Sequence, residues 1–141
     1  MTDERGIEMF EEKFARMMSK FPTHSAVLSI IEDGLVPVLC GPPGCGKTHW
    51  IKSLAGHQRY IEKSAMDKIY GDENFSGWQF AEISEFFSVV KSKEQQEKIL
   101  QLAKNPINSG VTFIVTTNVK FNPKILRREF KYIPVGEWFN D

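Results

Sequence analysis

Eight consecutive residues of this chain follow the spacing G-x-x-x-x-G-K-T, which is the pattern of a phosphate-binding loop. Glycines let successive backbone N–H groups wrap around phosphate oxygens, and a following helix adds the positive end of its dipole. Lys47 would reach the β- and γ-phosphates, and the Thr48 hydroxyl would be a ligand of Mg²⁺. The segment predicts a nucleoside triphosphate site built from Gly41, Pro42, Pro43, Gly44, Cys45, Gly46, Lys47 and Thr48.

The residues around the loop provide the context that the motif requires. The apolar run 35–40 predicts a buried strand before it, and residues 49–55 predict a helix after it. His49 follows the loop directly, where it would contact the adenine base. Trp50 is predicted to pack on the face of the helix.

Composition restricts the class of protein. With 141 residues there is room for one domain, and 41% apolar with 26% charged residues is ordinary for a globular protein. Eighteen basic residues balance eighteen acidic ones, so any basic surface must be local. No apolar run approaches the ~20 residues of a membrane span, and the N-terminus does not read as a signal peptide. We therefore expect a cytoplasmic protein with no membrane partner, and reduced Cys40 and Cys45 as small packing residues.

Periodicity divides the chain into two parts. Residues 1–34 are predicted to form an N-terminal helical segment packed on the core, with an apolar stripe over 7–21 and a second helix capped by Thr23 and ended by Gly34. Residues 35–141 are predicted to form the phosphate-loop core. No helical lid is expected after residue 135.

Strand and helix patterns alternate through that core. Strands are predicted at 35–40, 59–64, 76–83, 111–117 and 131–135, a helix from Ser92 to Asn105, and a helical turn over 123–128. Such alternation predicts an α/β fold, a three-layer sandwich around a mostly parallel five-stranded sheet. Nucleotide should bind at the carboxyl edge of that sheet.

Three sets of polar residues lie where the chain would approach this edge. Asn118 ends the clearest predicted strand and would hold the attacking water or sense the γ-phosphate, unless it simply begins the next turn. Glu82 and Glu85 are the candidates for the carboxylate that polarises water. The usual strand ends in Asp-Glu, so the metal-binding aspartate would be replaced by Ser84 or Ala81, which puts the hydrolysis rate in question.

The third set is the basic turn 124–130, which contains Arg127 and Arg128. An arginine here could act on the γ-phosphate of a neighbouring subunit. Two alternatives remain open, a solvated surface run and contact with a nucleic-acid backbone, since Lys120, Lys124 and Lys131 lie nearby with aromatic residues between them.

These motifs together resemble the AAA+ ATPases, in particular the clamp-loader and helicase-loader branch. The similarity covers the entry to the phosphate loop, the second strand, and the run from Glu94 through Asn105-Pro106 to Asn118. The resemblance implies the ASCE type of P-loop fold and identifies Asn118 as the sensor residue. It favours Arg128 over Arg127 as the arginine finger. It also favours Glu85 over Glu82 as the catalytic base. It also implies ATP and Mg²⁺ as ligands.

The chain also resembles the superfamily 3 helicases of small viruses, phages and plasmids, which share its short interval after the second strand. Both families imply a role in DNA replication, as an oligomer or with a larger replication protein, on DNA that would be single-stranded. Three functions follow as hypotheses: a minimal loader or remodelling ATPase, a helicase module, and a nucleotide-gated switch with little hydrolysis. A nucleotide kinase is a weaker fourth, because no arginine-rich lid is evident.

Overall fold

The structure is a computed structural model that describes residues 19–65, 70–85 and 93–136. Helices and strands alternate through these residues, as the sequence predicts. In chain order the elements are α1 (His24–Glu32), β1 (Val36–Cys40), α2 (Lys47–Ala55), β2 (Tyr60–Ser64), β3 (Phe80–Ser84), α3 (Lys93–Lys104), a 3-10 turn (Pro106–Asn108), β4 (Thr112–Thr117), a second 3-10 turn (Pro123–Ile125) and β5 (Phe130–Pro134).

The five strands form one parallel sheet in the order β2-β3-β4-β1-β5. β4 therefore lies between β1 and β3, and each neighbouring pair requires a crossover. Since all strands run the same way, their carboxyl ends meet at one edge. This edge carries the phosphate loop after β1 and the polar residues at the ends of β3 and β4.

Both faces of the sheet are covered, which gives the three layers that the sequence predicts. One face packs Val38, Ile83 and Val115 against α3, and the other packs Leu39 and Ile114 against α1 and α2. Parallel strands buried on both faces read as nearly continuous apolar runs, and all five residues of β1 are buried. The predicted α/β fold class is confirmed.

α1 confirms the second of the two predicted N-terminal helices. The Thr23 hydroxyl accepts a hydrogen bond of 3.2 Å from the Ala26 N–H, which satisfies one of the free donors of the first turn. Gly34 follows with φ of +79°, as expected for a residue that ends a helix. The helix predicted over 7–21 lies outside the described residues except for its last positions.

Most boundaries agree with the prediction to within two residues, and two differ by more. β3 begins at Phe80 and not at residue 76, because residues 75–78 close a turn in which Gly77 has φ of +91° and the Trp78 N–H bonds to the Phe75 carbonyl. The turn predicted over 123–128 is a 3-10 helix that ends at Ile125. The capping residue Ser92 lies outside the described residues.

Candidate nucleotide-binding site

The phosphate loop connects β1 to α2 and is anchored at both ends. At its start the Gly41 N–H donates to the Thr117 carbonyl of β4 at 3.2 Å, and at its end Gly46 is the N-cap of α2 with φ of +100°. Gly44 also has positive φ, +75°, a conformation that favours glycine. A Cβ at Gly44 would meet no atom within 4 Å, so the positive φ and not close packing is what favours glycine here.

Gly41 is required for a different reason, which is close packing. A Cβ at this position would lie 2.5 Å from the Val135 carbonyl oxygen and 3.0 Å from Cys45 Sγ. Cys45 is buried in the loop and Cys40 is buried at the end of β1, and both are free thiols. The two cysteines are therefore small packing residues, as predicted.

Lys47 is buried and folds back over the loop. Its ammonium donates to the carbonyls of Gly41 and Pro42 at 2.8 and 2.9 Å, and Cys45 Sγ lies 3.7 Å away. Burial lowers the pKa of Lys47 below that of a solvated lysine. The cation is thus positioned at the centre of the loop, where a bound phosphate would supply its counter-charge.

Thr48 connects the loop to β3. Its hydroxyl lies 3.1 Å from Glu82 Oε2, and Glu82 is almost fully buried, with 1% of its surface exposed. Hydroxyl and carboxylate oxygens are the ligands that Mg²⁺ prefers. The residues present therefore fit an Mg²⁺ ion bound together with a nucleotide.

Two more hydroxyl groups hold the Glu82 carboxylate. Tyr60 of β2 donates to Oε1 at 2.6 Å, and Thr116 of β4 donates to Oε2 at 2.8 Å. A carboxylate can only accept hydrogen bonds, so these donors compensate for its removal from water. Glu82 is thereby fixed in one orientation facing the loop.

This arrangement differs from the expectation for the end of β3. The sequence pattern assigned the metal-side position to Ser84 or Ala81, yet Glu82 is the residue that contacts Thr48, and Ala81 packs in the core on the opposite face. Ile83, the residue that follows Glu82, is fully buried in that same core. No carboxylate directly follows Glu82 at this site.

Glu85 lies beyond the end of β3 in an exposed position. Its carboxylate accepts a hydrogen bond of 2.7 Å from Ser64 at the end of β2, and its backbone has φ of +56°. Positive φ is uncommon for a residue with a side chain and marks a sharp turn out of the strand. The structure therefore brings Lys47, Thr48 and Glu82 together and places Glu85 at the neighbouring strand end.

Asn118 and His49 are exposed at the same edge. Asn118 follows Thr117, whose carbonyl accepts the bond from Gly41, so the chain brings Asn118 next to the start of the loop. His49 is in the first turn of α2. Trp50 is buried and stacks on Phe21 with ring centroids 5.9 Å apart, which agrees with its predicted packing role.

The two arginines of the basic turn have different surroundings. Arg127 is ion-paired with Glu97 of α3 and lies 3.4 Å from Glu129, and its backbone N–H donates to Gln96 at 2.9 Å. The Arg128 side chain is 95% exposed, with Glu129 3.4 Å away. Of the two, Arg128 is the one available to a neighbouring molecule.

Residues 37–106, just under half of the chain, match a family model described as "ATPase family associated with various cellular activities (AAA)". The matched segment includes the loop, Glu82 and Glu85. The match supports a P-loop NTPase of the AAA type. A AAA-type core implies nucleotide binding, in agreement with the loop geometry.

A search for relatives among curated proteins gave no match. A solved structure described as "Structural Basis for Katanin Self-Assembly" aligns with 87% of this chain and 50% of that chain, at 18% identity and a TM-score of 0.47. This chain thus spans about half the length of that solved chain. In the described parts of the molecule, no helix has the length and apolarity needed to cross a bilayer.

Sequence reasoning did not identify Tyr60, Glu62 or Thr116 as site residues. Tyr60 and Glu62 alternate along β2, so they share a face, and the register pairs Glu62 with Glu82. The alternation is readable in the sequence, but the register is not, because long crossovers separate parallel strands. Thr116 stands two residues before Asn118 in a strand that also contains Thr112 and Thr117, so the sequence does not single out its hydroxyl.

Proposed function

We propose that the chain binds Mg·ATP and hydrolyses it as a minimal AAA-type ATPase. The observation that carries this proposal is the contact between the Thr48 hydroxyl of the phosphate loop and the buried Glu82. Structural packing alone would not favour an ionisable side chain with 1% exposure at this position. A metal site formed when nucleotide binds gives the carboxylate a function.

Each polar residue then has a defined task. Bound Mg²⁺ would offset negative charge on the transferred phosphoryl group. Lys47 would exchange its carbonyl partners for phosphate oxygens, and Thr48 and Glu82 would hold the metal. For Glu85 we propose the role of general base and for Asn118 that of a γ-phosphate sensor, both at the carboxyl edge of the sheet.

We further propose that the ATPase works as an assembly, as a homo-oligomer or with a larger replication protein. Arg128 supports this, because an exposed guanidinium on a turn can reach a phosphate bound to another subunit. Arg127 would support that turn through its ion pair with Glu97. In this proposal residues 1–34 form a helical segment on the core formed by residues 35–141, and the protein acts in the cytoplasm.

We propose that this assembly acts in DNA replication. We favour a role as a loader or remodelling ATPase over a role as a helicase of the superfamily 3 type. The support is the family resemblance of the motifs and a basic surface. Exposed cations follow β4 at Lys120, Lys124, Arg128 and Lys131. Such a surface suits the phosphate backbone of single-stranded DNA.

A second candidate function is a nucleotide-gated switch that hydrolyses ATP slowly. One observation favours it, namely that the residue after Glu82 is the buried Ile83 and not an acid. If Glu85 cannot reach the attacking water, binding would proceed without efficient turnover. The two functions share one site and differ in rate.

Steady-state ATP hydrolysis tests both, measured with and without single-stranded DNA over a range of protein concentrations. Turnover that increases with protein concentration and with DNA supports the assembled replication ATPase. Tight ATP binding with negligible turnover under all conditions supports the switch. Failure of the wild-type protein to bind ATP, with a Lys47→Ala variant behaving identically, would contradict both.

A further inference from the structure

A second carboxylate, that of Glu62, also faces the Thr48 hydroxyl. Glu62 Oε2 lies 3.5 Å from Thr48 Oγ1, while Glu82 Oε2 lies 3.1 Å from the same atom. Glu62 and Glu82 are register partners on the adjacent strands β2 and β3. Their side chains therefore point to the same face of the sheet, toward the start of α2.

The Thr48 hydroxyl cannot satisfy both acids. A hydroxyl has one proton, and the shorter distance assigns it to Glu82. The contact of Glu62 Oε2 with the Thr48 oxygen, at 3.5 Å, then lies at the limit of hydrogen-bond distance and leaves this carboxylate oxygen weakly satisfied by Thr48. Two such oxygens are stabilised in proximity by a cation or by a water molecule that donates to both.

The partners of the two acids also differ. Glu82 is buried and already accepts from Tyr60 and Thr116. Glu62 is exposed on β2, where its carboxylate has access to solvent and to a hydrated ion. Magnesium usually retains several of its water molecules and binds through one or two carboxylates together with substrate phosphates.

We infer that Glu62 is a second carboxylate of the magnesium site, acting with Thr48 and Glu82 when nucleotide is bound. This inference rests on the proposed function. Glu62 would add a second carboxylate oxygen beside Thr48 to the one that Glu82 supplies. Over residues 19–65, 70–85 and 93–136 no group of three or more His, Cys, Asp or Glu side chains could hold a metal alone. The site should therefore bind Mg²⁺ only in the presence of nucleotide.

The decisive measurement is the affinity for a fluorescent ATP analogue as a function of Mg²⁺ concentration, with a parallel titration in EDTA. Glu62→Gln should raise the Mg²⁺ concentration at half-saturation by about 10-fold, the lower end of the effect of residues that support metal ligands. In EDTA, the affinity of the Glu62→Gln variant for the analogue should stay within about 2-fold of that of the wild type. Glu62→Asp keeps the charge and should recover part of the difference.

Glu32→Gln is the matched control, since it removes an exposed carboxylate at the end of α1 that has no place in the site. Thermal unfolding of each variant shows whether the fold is retained, and Glu62→Ala, which also removes the carboxylate, serves if Glu62→Gln does not fold. A half-saturating Mg²⁺ concentration for Glu62→Gln within 2-fold of wild type would overturn the inference. Absence of analogue binding by the wild-type protein would instead reject the proposed nucleotide function.

Discussion

Thr116 of β4 donates a hydrogen bond of 2.8 Å to the Glu82 carboxylate of β3, across two adjacent strands and wholly inside the protein. The same Glu82 oxygen is the one that faces Thr48. Orientation of the acid that faces the phosphate loop therefore depends on a residue that would not itself touch nucleotide.

Replacing Thr116 with valine keeps the shape and removes the donor. We expect a loss of about 1–3 kcal/mol in the free energy of unfolding, because a buried carboxylate loses a partner. Urea denaturation measures it. Thr112→Val, on the same face of the same strand but only half-buried, is the control and should change stability by less. Equal losses in the two variants would mean that the bond to Glu82 contributes nothing specific.

Lys47→Ala should weaken ATP binding strongly, because the loop loses its central cation. Hydrogen bonds to charged groups contribute about 1.5–3 kcal/mol each, so an affinity loss of at least ~10-fold is expected, and ~100-fold if two phosphate contacts are lost. Isothermal titration calorimetry measures the affinity. Lys104→Ala, an exposed lysine at the end of α3, should bind like wild type. Retention of ATP affinity in Lys47→Ala would exclude this loop as the nucleotide site.

Glu82→Gln and Glu85→Gln separate metal binding from proton transfer. Glu85→Gln should keep ATP affinity and lower kcat by about 10²–10⁴, the range of general-base catalysis. Glu82→Gln should instead make the affinity for ATP less sensitive to the Mg²⁺ concentration, because Glu82 contacts Thr48. Equilibrium binding and single-turnover hydrolysis distinguish the two. If Glu82→Gln preserves binding and alone stops hydrolysis, Glu82 is the base and our assignment is wrong.

Arg128 and Arg127 should respond differently to substitution by alanine. Arg128→Ala should leave stability unchanged and reduce turnover of the assembled protein by up to ~10³, the lower range for arginine fingers. Arg127→Ala should cost up to about 1 kcal/mol of folding stability, because it removes a partly exposed ion pair with Glu97. ATP turnover measured over a range of protein concentrations checks the first expectation, and urea unfolding checks the second. A loss in Arg128→Ala that is equally large in the monomer would exclude action in trans.

Tyr132 should make the folding stability depend on pH in the alkaline range. Burial, followed by the hydrogen bond with Cys40, raises the pKa of its phenol from 10.0 to about 12. Above pH 10 the unfolded chain loses this proton while the folded chain keeps it, so stability should fall as pH rises toward 12. Tyr132→Phe should show a shallower fall in urea denaturation than wild type. Tyr70→Phe, at an exposed position, is the control; identical slopes for wild type and Tyr132→Phe would refute the coupling.

Much of the fold could be predicted because the signals are local. The motif placed the loop between a strand and a helix, and β-branched residues predicted a strand over 111–117, which the structure has as β4 (Thr112–Thr117). The start of β3 was misplaced because the aromatic residues Trp78 and Phe80 look alike in a pattern. In the structure the chain turns at Gly77, Trp78 still belongs to that turn through its N–H bond to the Phe75 carbonyl, and the strand begins at Phe80.

The candidate site was only half predictable for a related reason. Lys47 and Thr48 belong to one contiguous motif, whereas Tyr60, Glu82 and Thr116 meet through strand register. Register in a parallel sheet depends on how crossover helices pack, which no short pattern encodes. The roles assigned to Glu85, Asn118 and Arg128 stay predictions.

The tight packing around Cys45 has a mechanical consequence. A Cβ at Gly136, just after β5, would lie 2.9 Å from Cys45 Cβ, and one at Gly41 would lie 2.5 Å from the Val135 carbonyl oxygen. The exit of the last strand and the phosphate loop therefore have no slack between them. A force applied to the chain at residue 136, by a neighbouring subunit or a tethered load, would therefore displace the phosphate loop as well.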